Sequence, residues 1–354
     1  MFERIAGNER VKEILRRIID AGRLPGALLF VGEEGIGKKL FALELAKALN
    51  CRTPTAAGPC GNCSACTRIS KVNVPEDGDT EELKQILWTD HPDVGMVVAP
   101  KRVLLVTQMR QIEREANFRP FEGKARVFLI DEAEKLNDPS ANALLKVLEE
   151  PPPTSHIILI TSRPAMLLET IRSRCQMIRF SPLTPAEIEQ HLMQNNLADR
   201  ASAALRARVA AGSIGRALSS DLETFVEQRT AMLAVLKALA GNPNEAQLLR
   251  SSEQLNEAQY KEEFEARLDV LETLIRDAWM LSVGASRDQL VNEDLFSELE
   301  KISGQIDPDR AASWILQIED MREQLIVNIN RRIATDALFV AMASPVVPPR
   351  KYLP

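Results

Sequence analysis

Four groups of residues have the types and spacings to do chemistry. The first is Gly32-Glu33-Glu34-Gly35-Ile36-Gly37-Lys38-Lys39. It fits the phosphate-cradling pattern G-x-x-x-x-G-K up to its last position. In that pattern the glycines let backbone N–H groups face a polyphosphate. The following helix contributes its positive end, and the lysine reaches the outer phosphates. Gly32, Gly35, Gly37 and Lys38 are therefore candidate nucleotide-binding residues. The eighth position should carry a Ser or Thr hydroxyl for Mg2+; Lys39 stands there and cannot ligate a cation. This points to weakened or lost hydrolysis of ATP rather than to a different fold. A purely structural glycine turn is the alternative when the loop is taken alone.

The second group is Val127-Phe128-Leu129-Ile130-Asp131-Glu132, four apolar residues ending in two carboxylates. Downstream of a phosphate loop, such an Asp orders Mg2+ and the Glu polarises the attacking water. Alone, it is a buried strand ending in solvated acids. The third group is Cys51-x8-Cys60-x2-Cys63-x2-Cys66. Four thiolates at these spacings can close a tetrahedral Zn2+ site, and with all four positions taken its role is structural. Free or disulfide-linked cysteines are the alternative. The fourth is Ser173-Arg174-Cys175, whose guanidinium could stabilise a phosphoryl group transferred on a neighbouring subunit. A lone arginine is otherwise a solvated surface residue.

Around these groups the apolar pattern sets the elements. Residues 9–22 read as an amphipathic helix, 27–31 as a buried strand, and 38–49 as a helix following the glycine loop. Residues 73–82 hold Pro75, Gly78 and five acids, and read as an exposed loop. Residues 94–99 and 103–106 read as strands or strand ends, and 107–117 as a helix. Strands are expected at 127–130, 156–161 and 176–180. A helix at 140–149 is stopped by Pro151-Pro152-Pro153. Strands alternating with helices give an α/β domain with a parallel sheet. Beyond Pro182 the pattern turns helical. Thr184 is placed as a cap with Pro185 at the first helical position and Glu187 three beyond the cap. One helical face joins Phe264, Leu268, Leu271, Ile275 and Trp279 over 261–283. A second joins Ile315, Ile318, Met321, Leu325, Ile329 and Ile333 over 311–342.

Composition bounds the function. Of 354 residues, 45% are hydrophobic and 27% charged, which excludes a largely disordered chain. The net charge of -6 excludes a non-specific nucleic-acid coat, which needs a broad basic excess. There is no apolar run of about 18 residues and no basic-then-apolar start, so the expected location is the cytoplasm. In that reducing compartment a cysteine cluster reads as metal-binding before disulfides.

Taken in order, these motifs resemble the AAA+ clamp-loader family. The resemblance is dense over residues 1 to about 220. It rests on Ile5-Ala6-Gly7-Asn8, Gly22-Arg23-Leu24-Pro25, the four-cysteine block and His91-Pro92-Asp93. It rests most of all on Asn142-Ala143-Leu144-Leu145-Lys146-Val147-Leu148-Glu149-Glu150-Pro151-Pro152, with Ser173-Arg174-Cys175 downstream. The C-terminal third matches more loosely, through its helices and Asn328-Ile329-Asn330.

The resemblance implies an AAA+ domain over 1–180 with a zinc module at 51–66. A helical lid over 181–222, an all-α collar domain over 223–345 and a mobile tail at 346–354 would follow. Within the family, Lys39 matches the stator type of subunit, which keeps the Ser-Arg-Cys arginine, rather than the ATP-hydrolysing motor type. Gly215 stands where motors place a sensor arginine, and Arg216 follows one residue later. Thr161 falls in the other sensor region. The implied role is a subunit of a DNA polymerase III clamp loader. It would join motor (tau/gamma) and delta subunits in a hetero-pentameric ring that loads a sliding clamp onto primed DNA. Arg174 would act on the neighbouring motor's ATP. Two other readings are an active ATPase motor and a zinc-dependent nucleic-acid reader. The second lacks basic and aromatic neighbours around the cysteines beyond Arg52, Arg68 and Lys71.

Overall fold

A computed structural model describes residues 2, 5–55, 58–72, 75, 81–219, 221–241, 245–257, 263–326 and 330–344. The chain forms two compact units, Met1–Ser219 and Ser220–Pro354. In the first, α1 (Glu9–Asp20), β1 (Ala27–Val31), α2 (Lys38–Asn50) and α3 (Ser64–Ile69) come in chain order. They are followed by β2 (Leu87–Trp88), β3 (Val94–Val97), α4 (Val106–Ala116), β4 (Arg126–Ile130) and α5 (Asp138–Glu149). Then come β5 (Ser155–Thr161), α6 (Glu169–Arg172), β6 (Gln176–Arg179), α7 (Pro185–Gln194), α8 (Arg200–Val209) and α9 (Ile214–Ser219).

The six strands lie in the order β2-β3-β4-β5-β1-β6. All neighbours are parallel except β2 and β3. Both faces of a parallel sheet must be covered, which is why its strands are continuous apolar runs. Leu28, Phe30, Val127, Leu129, Ile158 and Ile160 pack into one core with α1, α2 and the helices beyond Leu183. Leu29, Val31, Phe128, Ile130, Ile157 and Leu159 point the other way and join Met109, Ile112, Leu144, Val147 and Leu148. Alternation along each strand thus divides one hydrophobic run between two helical layers.

The start of α7 follows from its sequence. The Thr184 Oγ1 accepts from the Glu187 backbone N–H at 3.3 Å, and the Glu187 carboxylate accepts from the Thr184 N–H at 2.8 Å. Residues 103–106 correct an expectation: they are not a strand. Leu104 makes only a single bridge to Leu136. The helix has begun by Val106, because the Gln108 side chain accepts from the Leu105 N–H at 2.7 Å and caps it. The sequence also gave no sign of β2, the short antiparallel strand beside β3.

The second unit is helical among its described residues: α10 (Leu222–Ala240), α11 (Glu245–Leu255), α12 (Phe264–Ser282), α13 (Phe296–Ser303), α14 (Pro308–Ile326) and α15 (Arg331–Ala343). Phe264, Leu268, Leu271 and Ile275 of α12 share its core with Leu236, Trp314, Ile318 and Phe339. The apolar face expected across 311–342 is divided between two helices. The Asn330 side chain accepts from the Arg332 and Ile333 N–H groups and starts α15. An Asn cap competes with a continuous helix, and Ile333 is left 64% exposed. Ile329, most of the acidic 73–82 loop and the proline-bearing tail fall outside the described residues.

One buried carboxylate ties the sheet to the loop after α4. Asp93, fully buried, accepts from the Phe121, Glu122 and Gly123 N–H groups at 2.6, 2.9 and 2.8 Å. Asp93→Ala leaves these donors without their acceptor. A loss of about 3 kcal/mol is expected in denaturant unfolding.

Candidate functional site: a phosphate loop holding its own cation

The glycine loop lies between the end of β1 and the start of α2, at the carboxyl edge of the sheet. β1 is flanked there by β5 and β6, so the chain order reverses beside it. Ligands of open α/β sheets bind at such switch points. Gly35 and Gly37 have φ of +74° and +97°. Gly35 has no room for a Cβ, which would stand 2.1 Å from the Ser213 Oγ. The Gly215 N–H donates to the Gly35 carbonyl at 2.9 Å, so the loop and the helical segment 213–219 meet backbone to backbone.

A cavity of about 570 Å³ opens here. Gly35, Gly37, Lys38, Asp131, Glu132 and Arg216 line it, so six of the eight nucleotide-site residues named from sequence converge on one place. Gly32 and Thr161 are not among its lining residues. Gly32 instead takes a hydrogen bond through its carbonyl from the Lys38 Nζ at 2.6 Å, and the Glu33 carbonyl takes another at 2.5 Å. Burial lowers the Lys38 ammonium from its ordinary value, against the pull of Asp131, Glu134, Glu34 and Glu33. Thr161 is buried and turned toward Glu134, a carboxylate the sequence reading passed over. Burial pushes the Glu134 carboxyl up. Hydrogen bonds from Thr161 and Ser162 outweigh it and hold the group below the usual carboxylate range.

The departure at position 39 has a structural consequence. The Lys39 Nζ lies 2.6 Å from the Asp131 Oδ2, and that carboxylate is only 19% exposed. In an intact site a hydroxyl at this position and the Asp share Mg2+. Here a tethered ammonium is on the Asp, and the second carboxylate, Glu132, pairs with Lys135 at 2.7 Å. This donor set does not fit Mg2+: one ligand is replaced by a cation and another is already neutralised.

Arg174 is exposed and lies just past α6. Its Nη1 donates to the Thr170 carbonyl at 3.0 Å and its Nη2 lies 2.7 Å from the Glu149 Oε1. Among the described residues, no hydrogen bond or ion pair joins it to the cavity at Lys38.

The cysteine cluster is assembled by the end of α2, a turn and α3. Cys51 ends α2, and Cys66 is buried in α3. Gly61, with φ +78°, makes the turn that brings Cys60 and Cys63 together. The four Sγ atoms lie within 4.8 Å of one another, with Cys51 3.6 Å from Cys60 and 3.9 Å from Cys63. Thiolates at ~2.3 Å from one zinc stand roughly 3.8 Å apart, so the group could hold a metal ion. The Cys63 N–H donates to the Cys60 Sγ at 3.3 Å and the Cys60 N–H to the Cys51 Sγ at 3.4 Å. The Thr53 hydroxyl and the Asn62 and Cys63 amides bring the Cys60 thiol down to about 6.

Second-layer residues fix the cluster, and sequence reading assigned them no role. Asn50 accepts from the Lys124 and Ala125 N–H groups at 2.9 and 3.0 Å. Glu122 takes Arg68 and, at 3.4 Å, Arg52. His91, buried, lies 3.5 Å from Glu122; burial holds its imidazole below the ordinary value. The only advance signal was the His91-Pro92-Asp93 motif, whose Asp anchors the same loop.

A P-loop α/β domain with a helical segment over its loop is the arrangement of the AAA+ class of nucleotide-binding module, to which this chain adds a four-thiol cluster. The family described as DNA polymerase III, delta subunit, matches residues 7–184, and its C-terminal counterpart matches 223–340. Subunit delta' of Bacillus subtilis strain 168 is 29% identical over 321 residues, covering 91% of this chain and 92% of that protein. Subunit delta' of Escherichia coli K12 is 30% identical over 322 residues, covering 90% and 89%. The tau subunit of Escherichia coli K12 is 34% identical over 223 residues, but these are 62% of this chain and 32% of tau. The chain belongs to the delta' family of DNA polymerase III clamp-loader subunits.

Two results are expected from this geometry. Lys39→Thr returns a hydroxyl and frees Asp131, so Mg2+-dependent ATP affinity by calorimetry should rise at least about tenfold. No gain would show that the 213–219 contact, not the ammonium, closes the loop. Native mass spectrometry should find one metal ion per chain, lost in Cys63→Ser together with several degrees of thermal stability.

Proposed function

We propose that this chain is the stator of a DNA polymerase III clamp loader. It supports ATP-driven loading of a sliding clamp onto primed DNA by lending Arg174 to the triphosphate of a neighbouring motor subunit. Its partners are tau/gamma motor subunits and a delta subunit in a five-membered ring, and it works in the cytoplasm. The AAA+ domain spans 1–180, the lid 181–222 and the collar 223–345. The collar would hold the ring together, and Zn2+ would sit on Cys51, Cys60, Cys63 and Cys66 as a structural ion.

The observation that carries this reading is the Lys39–Asp131 pair. A phosphate loop whose cation station is filled by its own side chain is poorly built to turn over ATP, so Gly35, Gly37, Lys38, Asp131, Glu132 and Arg216, with Gly32 and Thr161 outside the lining, would form at most a static nucleotide pocket. Arg174, by contrast, is exposed and presents a planar charge that suits a developing phosphoryl transition state. The relatives named tau match this chain in part, whereas those named delta' match it nearly end to end. No helix among the described residues is long and apolar enough to cross a membrane.

The test is turnover in a reconstituted complex whose other motor boundaries carry inactivated phosphate loops. Arg174→Ala should leave assembly intact and lower DNA-stimulated ATP hydrolysis at the remaining boundary by about 10³-fold. Unchanged turnover would remove Arg174 from the chemistry. Brisk hydrolysis by the isolated chain would instead make it a motor.

A further inference from the structure

The stretch around Glu149 is the longest motif in the sequence, and no part of the nucleotide site or the thiol cluster uses it. It ends beside the candidate finger. We propose that Glu149 is the positioning residue for Arg174, fixing the guanidinium at the angle and reach a neighbour's phosphate requires. The inference rests on the trans-acting role proposed for Arg174 and deepens it.

An arginine side chain free in solvent has about 2 kcal/mol of rotamer entropy to lose on binding. Arg174 is restrained before any partner arrives. Thr170 holds Nη1 through its carbonyl, and Glu149 holds Nη2 through its carboxylate. The two anchors come from different elements, so they fix orientation as well as distance. A guanidinium has five N–H donors. One is engaged by the Thr170 carbonyl, and Glu149 adds an ion pair, which leaves further donors for an acceptor brought by another subunit.

Both anchors stand on rigid supports. Glu149 is the last residue of α5, and Pro151 follows closely behind it. That helix starts at a capping box between Asn137 and Ser140 and buries Ala141, Leu144, Val147 and Leu148. Ile171 of α6 is buried in the same core as Leu148 and Val147. The carboxylate and the arginine are thus tied to one packed body.

Stability does not explain the pair. Its side chains are 34% and 50% exposed, and exposed ion pairs contribute little to folding. Nor does it hide the finger, since a third of the Arg174 side chain still meets solvent. An exposed, doubly anchored guanidinium fits orientation better than either alternative.

The measurement is a double-mutant cycle in the reconstituted complex described above. Glu149→Ala should lower kcat at this boundary about tenfold with the KM for ATP within about twofold, because only transition-state contact is misplaced. Glu149→Asp, which keeps the carboxylate charge of the ion pair, should restore part of the rate. On the Arg174→Ala background, Glu149→Ala should add nothing. If Glu149→Ala leaves kcat unchanged, or if its effect multiplies with that of Arg174→Ala, the positioning role is wrong although the finger stands. If Arg174→Ala itself has no effect, the finger fails first, and the two failures are told apart.

Discussion

The chain's working character depends on one ammonium against one carboxylate. Lys39 and Asp131 come from the two halves of a nucleotide site, the first turn of α2 and the end of β4. In a hydrolysing enzyme they would be joined by a metal ion that arrives with substrate and leaves with product. Here the joining charge is covalently attached. The sheet edge, the loop and the segment over it can therefore keep one arrangement.

The rest of the first unit extends that rigidity outward. α5 is 12 residues long, about 18 Å at 1.5 Å per residue. It begins just after the carboxylates at the end of β4 and finishes at Glu149, against Arg174. The helix packs on the sheet through Leu144 and Leu148 and carries Glu149 to Arg174.

The thiol cluster is held by the same logic. Its thiols come from the end of a core helix, a short turn and α3, and its outer layer is the 121–125 loop. That loop is itself fixed by buried Asp93 and Asn50. The backbone N–H groups directed at sulfur favour thiolates, which is the form a metal needs. A metal there would fasten an excursion of the chain to the domain and leave Arg174 and the phosphate loop untouched.

Much of this was legible in the sequence because its signals are local. The phosphate loop, the acid pair after β4, the cysteine spacing and the Thr184 cap each occupy a few consecutive residues, and short-range sterics and hydrogen bonding determine what they do. Parallel-sheet strands announce themselves as unbroken apolar runs, so both layers of the core could be anticipated. The sequence misled where two local rules competed. Gln108 caps a helix where apolar content favoured a strand, and Asn330 starts a new helix inside a continuous apolar period. What the sequence alone determined was therefore the inventory of parts and the loss of a metal-binding hydroxyl at position 39. Only the tertiary structure decided that Lys39 would settle on Asp131, that Glu149 would meet Arg174, and that Asp93 and Glu122 would brace the thiols. Those pairings join residues 25 to 92 positions apart, or bridge separate elements, and no periodicity records which charge will face which once the chain has closed.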